Sequence, residues 1–200
     1  MVDVILFDCD GPIIKREKYF SQRLKEHGEN LNEPKVRDFF KTEFLQIERG
    51  KADLKQVLSK LIPQWGYKGT VEELMDFWFS GEAEINLNMK EYILKLKDSG
   101  VKAYLATNNE KYRTEYLWNV VGIKNFLEGL FSSCYLGYMK PEVEYWQEIY
   151  KVLNKYPKEN ILVLDDKQAA IDSARAFGFK AELYTTFDDF KKVMEEKYKI

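Results

Sequence analysis

The stretch VDVILFDCDGPII, residues Val2 to Ile14, sets an apolar run directly against two aspartates one residue apart. A first strand of this kind is built for burial, so carboxylates at its end have to be solvated, paired or bound to a cation. Asp10-Gly11-Pro12 also has the chemistry of a turn, and alone it would end a strand with no further role. What the other strands deliver at their ends decides between the two readings.

Apolar runs with strand character recur at Val101 to Ala106, Ile161 to Leu164 and Ala181 to Tyr184, with a weaker one around Cys134 to Tyr138. Helical periodicity separates them over Met89 to Ser99, Glu110 to Val121, Glu142 to Leu153 and Gln168 to Phe177. Gly100, Gly122 and Gly178 stand where left-handed caps would close three of these helices, and Pro141 lies close to the start of the remaining one. Strands alternating with helices of this length predict an α/β fold: a Rossmann-like parallel sheet with helices on both faces.

The alternation fails between Ile13 and about Ile85. No strand is evident there, and amphipathic stretches at Tyr19 to His27, Lys35 to Ile47, Leu54 to Leu61 and Val71 to Phe79 predict a small all-helical domain inserted after the first strand. Pro63, Gly66 and Gly69 punctuate it, and Gly81 to Asn88 reads as the return linker, with Gly81 and Asn86 to Asn88 as hinge positions. The expected division is 1–14 and 86–200 for the core domain and 15–85 for the insert. The aromatic cluster of Trp65, Tyr67, Phe77, Trp78 and Phe79 reads as the insert's own core.

Composition narrows the function classes. The 200 residues carry a formal net charge of -2, which gives no electrostatic footprint for nucleic acid. No apolar run is long enough for a membrane span, and no leader pattern opens the chain. Cys9 and Cys134 lie far apart and match no zinc spacing, so they read as reduced thiols of a soluble, cytoplasmic protein.

In an open parallel sheet ligands bind beyond the carboxyl ends of the strands. Those ends bring Asp8 and Asp10, then Thr107, Asn108 and Asn109, then Asp165 and Asp166, with Lys140-Pro141 ahead of the helix at Glu142. Several carboxylates converging on one lysine call for a divalent cation, and an all-oxygen donor set suits Mg²⁺. A cation, a lysine and a hydroxyl form a clamp for a transferring phosphoryl group. One carboxylate can attack phosphorus while a second, two residues on, handles the protons.

These elements together resemble the haloacid dehalogenase superfamily, in its phosphatase-type subgroup with a helical cap after the first strand. The resemblance rests on an apolar run ending in DxDG (Ile5 to Gly11), another ending in Thr-Asn (Tyr104 to Asn108), G-x-x-K-P (Gly137 to Pro141) and a run ending in DD (Ile161 to Asp166), in the family's order. It implies that Asp8 is nucleophile and metal ligand, and that Asp10 is general acid/base with its backbone carbonyl as a second ligand. Thr107 and Asn108 would bind the phosphoryl oxygens, and Lys140 would pair with phosphate and Asp8. Asp166 would be the remaining Mg²⁺ ligand, with Asp165 the next candidate. Two positions depart from the pattern: Ala170, where relatives carry Asn or Asp, and Pro12, which removes a backbone donor beside the site.

The implied activity is Mg²⁺-dependent hydrolysis of a small phosphorylated metabolite, a phosphomonoester, through an aspartyl-phosphate. Asp10 argues against attack on carbon, which needs no leaving-group proton. A sugar-phosphate mutase of the beta-phosphoglucomutase type is the alternative, and a non-catalytic binding protein would ordinarily have lost Asp8 or Lys140. His27 reads as a solvated helix-end residue, while Lys15 and Arg16 lie close enough to the DxDG loop to contact an anionic substrate. The substrate's identity and a monomeric or weakly dimeric state are left open by the sequence.

Overall fold

In the computed structural model, which describes residues 1–15, 17–26 and 31–200, Val4–Phe7 forms β1 at the middle of a five-stranded sheet. Its neighbours are β4 (Lys102–Thr107) and β6 (Ile161–Asp165), both parallel to it, with Leu6 opposite Tyr104 on one side and Val163 on the other. Outside them lie β5 (Gly129–Ser132) and β7 (Lys180–Leu183), giving the order β5-β4-β1-β6-β7, all parallel. The chain runs outward from β1 in both directions, so the strand order reverses at β1, where such sheets bind ligands.

All four β1 residues are buried, which fits a strand covered on both faces. Ile5 and Phe7 pack against Met89, Ile93 and Leu96 of α6 (Leu87–Asp98) and Phe190 of α11 (Phe187–Val193). Val4 and Leu6 face the opposite layer, with Tyr145, Trp146 and Ile149 of α9 (Val143–Leu153) and Ile171 of α10 (Gln168–Phe177). Alternation continues past the strand: Cys9 stays with the Ile5 and Phe7 layer, which leaves the aspartates on either side of it free of that core.

Among the described residues, five helices fill the interval after β1: α1 (Phe20–Glu26), α2 (Glu33–Lys41), α3 (Glu43–Glu48), α4 (Leu54–Trp65) and α5 (Val71–Ser80). They share a cluster that buries Phe39, Leu58, Trp65, Leu74 and Trp78, separate from the two sheet layers. Asp53 and Thr70 cap α4 and α5 with their side chains, Thr70 in a reciprocal capping box with Glu73. Two-residue strands β2 (Ile14–Lys15) and β3 (Glu84–Ile85) pair antiparallel where the chain leaves and re-enters the sheet domain, so this interval does contain strand after all.

Several boundaries differ from those expected. The weak strand around Cys134 to Tyr138 is a short helix, α8 (Ser133–Leu136), closed by Gly137 at φ +80, and the edge strand lies just before it at Gly129–Ser132. Four residues on an outer strand carry too little alternation to be read alone. Pro63 does not end its helix: burial of Ile62 and Trp65 carries α4 on to Gly66, whose left-handed conformation caps it. The stretch Lys35 to Ile47 divides into α2 and α3 at Thr42, and α6 starts inside the expected linker, capped by Asn86. Arg16 and His27 lie outside the described residues. Among those described, no helix is long and apolar enough to cross a membrane.

Candidate active site

Asp8 is the first residue beyond β1, and its amide donates to the carbonyl of Leu164 in β6, which holds the chain between two neighbouring strands as it turns. The loop then closes tightly: the amides of Ile13 and Ile14 both reach the Cys9 carbonyl, and Gly11 donates to Ile14. Gly11 sits at φ +98, where a side chain would be strained, with the Asp166 carboxylate 3.6 Å from the position of a Cβ. Pro12 fits this turn because the amides on either side of it supply the bonds. Its carbonyl accepts from the Asn86 side chain at 3.3 Å, tying the loop to the start of α6.

Lys140 is buried and points its ammonium into the carboxylates. Nζ donates to Asp8 at 2.8 Å, to the Ala106 carbonyl at 2.9 Å and to Asp165. Its backbone is pinned by Asn108, whose side chain accepts from the Lys140 amide at 2.9 Å and donates to its carbonyl at 3.0 Å. Burial alone would lower the lysine's pKa, but Asp8 and Asp165 more than reverse this and hold it above its ordinary value. Burial pushes Asp8 up to about 7, against the pull of Lys140 and with help from Asp165 and Asp10. The single Lys140 ammonium is shared between two carboxylates, those of Asp8 and Asp165.

Carboxylate oxygens of Asp8, Asp165 and Asp166 lie within 4.8 Å of one another. Asp165 is the last residue of β6 and takes the Lys167 amide on its other oxygen, at 2.8 Å, while Lys167 Nζ is 3.0 Å from Asp166. An all-oxygen donor set carrying surplus negative charge fits Mg²⁺. Ala170 is buried and borders the cavity without contributing an oxygen donor from its side chain.

The Asp10 carboxylate is not part of that group. Arg113 takes it in a two-pronged grip, Nη2 to Oδ1 at 2.6 Å and Nη1 to Oδ2 at 2.9 Å. Arg113 is 3% exposed, bonds Asn109 at 2.6 Å and approaches Glu82 at 3.6 Å. It belongs to α7 (Lys111–Glu115), whose N-cap Glu110 accepts from the Tyr112 and Arg113 amides. Neither Arg113 nor Glu82 was singled out in the sequence. A signal was there: in the stretch Glu110 to Val121, which reads as one helix, Arg113 stands four residues before the buried Leu117, a charge on the apolar stripe.

Thr107 ends β4 and is 1% exposed, with its hydroxyl oxygen accepting from Asn109 at 2.8 Å. It does not line the cavity, whereas Asp8, Asp10, Asn108, Lys140, Asp165 and Asp166 all do. Lys15 is exposed and paired with Glu84 across β2 and β3. The cavity measures about 920 Å³ and extends from the carboxylates under α1, α2, α3 and α5. Glu48 of α3 reaches in from the helical side, its pKa raised to about 7 by burial and by Asp10.

Known proteins fit this arrangement. Residues 2–178 match the haloacid dehalogenase-like hydrolase family. The chain is 26% identical to a D-ribitol-5-phosphate phosphatase of Bacteroides thetaiotaomicron over 90% of each protein. It is 27% identical to a sesquiterpene phosphatase of Aspergillus oryzae over 66% of this chain and 67% of that one. A solved haloacid dehalogenase family enzyme of Bacteroides thetaiotaomicron, in complex with magnesium and inorganic phosphate, superimposes with a TM-score of 0.81 at 17% identity, covering 96% of this chain and 99% of its own. The L-2-haloacid dehalogenase of Xanthobacter autotrophicus superimposes with a TM-score of 0.67 at 13% identity, over 98% and 84%. The chain belongs to the haloacid dehalogenase-like hydrolases.

Proposed function

We propose that the protein is a Mg²⁺-dependent phosphatase that cleaves a phosphomonoester through an aspartyl-phosphate on Asp8. The observation that carries this reading is the pairing of two differently held carboxylates: Asp8 against Lys140, Asp165 and Asp166, and Asp10 apart from them on Arg113. A carboxylate reserved for protons has a use where an alkoxide leaves phosphorus, and none where a halide leaves carbon.

In this scheme a carboxylate oxygen of Asp8 attacks phosphorus as the bond to the leaving oxygen breaks, and Asp10 gives that oxygen its proton. Asp10 then takes a proton from water as the water attacks the same phosphorus, and the bond to Asp8 breaks to release phosphate. Lys140 offsets the charge on Asp8 and the phosphoryl oxygens, and Asn108 keeps Lys140 in place. Asp8, Asp165 or Asp166, and the Asp10 carbonyl would hold Mg²⁺, which when bound neutralises phosphoryl charge. The helical segment 15–85 serves as a cap that shields the reaction from water, with the sheet domain supplying the chemistry.

The two relatives are named for different substrates, one as a sesquiterpene phosphatase and the other as a D-ribitol-5-phosphate phosphatase, and both names share removal of phosphate. Release of inorganic phosphate from p-nitrophenyl phosphate with Mg²⁺, lost in Asp8→Asn and on chelation, is the test. Release that persists in Asp8→Asn overturns the mechanism.

A further inference from the structure

The chamber beyond the carboxylates is walled on the cap side by hydrocarbon. Phe20 and Leu24 lie one turn apart on α1, Val36 and Phe40 one turn apart on α2, and Phe44 on α3 and Trp78 on α5 complete the wall. The aromatic members brace one another: Phe20 stacks on Trp78 at 4.6 Å, while Phe40 and Phe44 approach the same indole at 5.5 and 5.4 Å. Such a wall is fixed in shape before any ligand arrives.

The buried polar groups on this wall, Glu82 and Arg113, are already committed, while Glu48 and the exposed Arg37 and Lys41 border the same space. Glu82 accepts from the Phe20 amide at 2.7 Å and from Trp78 Nε1 at 3.3 Å, and faces Arg113, which is itself bound to Asp10. A polyol held against Phe20, Phe40, Phe44 and Trp78 would find no free hydrogen-bonding partner on those four side chains. A hydrocarbon chain would displace water from the same surfaces at no such cost. At about 920 Å³ the cavity is large for a phosphate with a two- or three-carbon ester and suits a ligand with a bulky organic part.

We infer that the substrate is the phosphate ester of an apolar alcohol, its phosphate at Asp8 and Lys140 and its hydrocarbon under Phe20, Phe40, Phe44 and Trp78. This rests on the phosphatase reading above, and assigns the leaving group that the sheet domain leaves unspecified.

The experiment compares ethyl, butyl, hexyl and octyl phosphate with a pentitol phosphate, all with Mg²⁺, on the wild-type protein. The expected result is a kcat/KM that climbs up to about fourfold per methylene beyond the first few carbons, mostly through KM, with the pentitol ester below hexyl phosphate. Phe40→Ser should shrink the ratio of octyl to ethyl turnover, a ratio taken within one preparation and so insensitive to the fraction folded. If that variant does not fold, the wild-type series alone decides. A flat series, or preference for the pentitol ester, with ethyl phosphate still hydrolysed overturns this inference and leaves the phosphatase reading standing. No phosphate from any ester, including p-nitrophenyl phosphate, overturns both.

Discussion

Arg113 holds both carboxylate oxygens of Asp10 from a position 103 residues away in the chain, at 2.6 and 2.9 Å, while Lys140 holds Asp8. A buried cation on one aspartate and another on its near neighbour in sequence give the two carboxylates fixed and separate orientations. Truncating Arg113 would strand buried acids, at a cost of about 3 to 5 kcal/mol, so the informative change is Arg113→Lys, which keeps the charge and loses the fork. For an alkyl phosphate we expect kcat to fall about tenfold or more with KM within about twofold. With p-nitrophenyl phosphate, whose leaving oxygen needs no proton, the loss in the first step should be much smaller; equal losses for both esters would refute a positioning role.

Asp8→Asn should abolish turnover while the fold persists, since the amide is isosteric and relieves crowding among the carboxylates. Asp10→Asn should cost about 10² to 10⁴ in kcat for alkyl esters. Trapping ³²P on the wild-type chain by acid quench, and its absence from Asp8→Asn, identifies the nucleophile directly.

Asp166→Asn is expected to weaken Mg²⁺ by tenfold or more, and Asp165→Asn to do so with an added loss of stability, because Asp165 also anchors Lys140 and the Lys167 amide. Activity titrated against free Mg²⁺ and thermal melts with and without the ion separate the two effects. Activity unchanged by EDTA would remove the metal from the mechanism.

Glu48 supplies a pH signature. Its folded-state pKa of about 7 exceeds the ordinary 4.5, so the folded protein binds the extra proton more tightly than the unfolded chain. The stability this provides is complete below about pH 4.5 and is lost as pH rises through 7. Glu48→Gln, which cannot ionise, should therefore gain on wild type by about 1 to 3 kcal/mol between pH 4.5 and 7.5. Parallel melting curves for the two proteins across that range would refute it.

Gly50 marks a close approach of the helical segment to the sheet domain. It has φ +68, and a Cβ there would stand 2.1 Å from the Cys134 carbonyl oxygen. Beside it Arg49 pairs with Glu142 at 2.8 Å, and Tyr112 donates to Asp53 at 2.7 Å. Gly50→Ala should lower stability by about 2 kcal/mol or more, read as a shift in denaturant midpoint. An unchanged midpoint would show that this contact contributes nothing.

The sequence determined the alternation of strands and helices, the helical interval after β1, and the residues at three strand ends, because burial on both faces makes these strands continuous apolar runs and leaves polarity only where they stop. Cys9 turns away from Asp8 and Asp10 for the same local reason, the two-residue period, and joins the Ile5 and Phe7 layer. The outer strand at Gly129–Ser132 escaped, being short, and so did the passage of α4 through Pro63, where burial outweighed a local preference. What Asp10 touches is set by contacts between elements far apart in the chain. Arg113 comes from another element, and no spacing in the chain encodes a guanidinium arriving across the sheet. Nor could periodicity tell that Trp78, a core residue of the helical segment by its pattern, also walls the chamber over Asp8. A side chain at a helix's edge can serve both, and which it does is fixed by how the helical segment packs on the sheet.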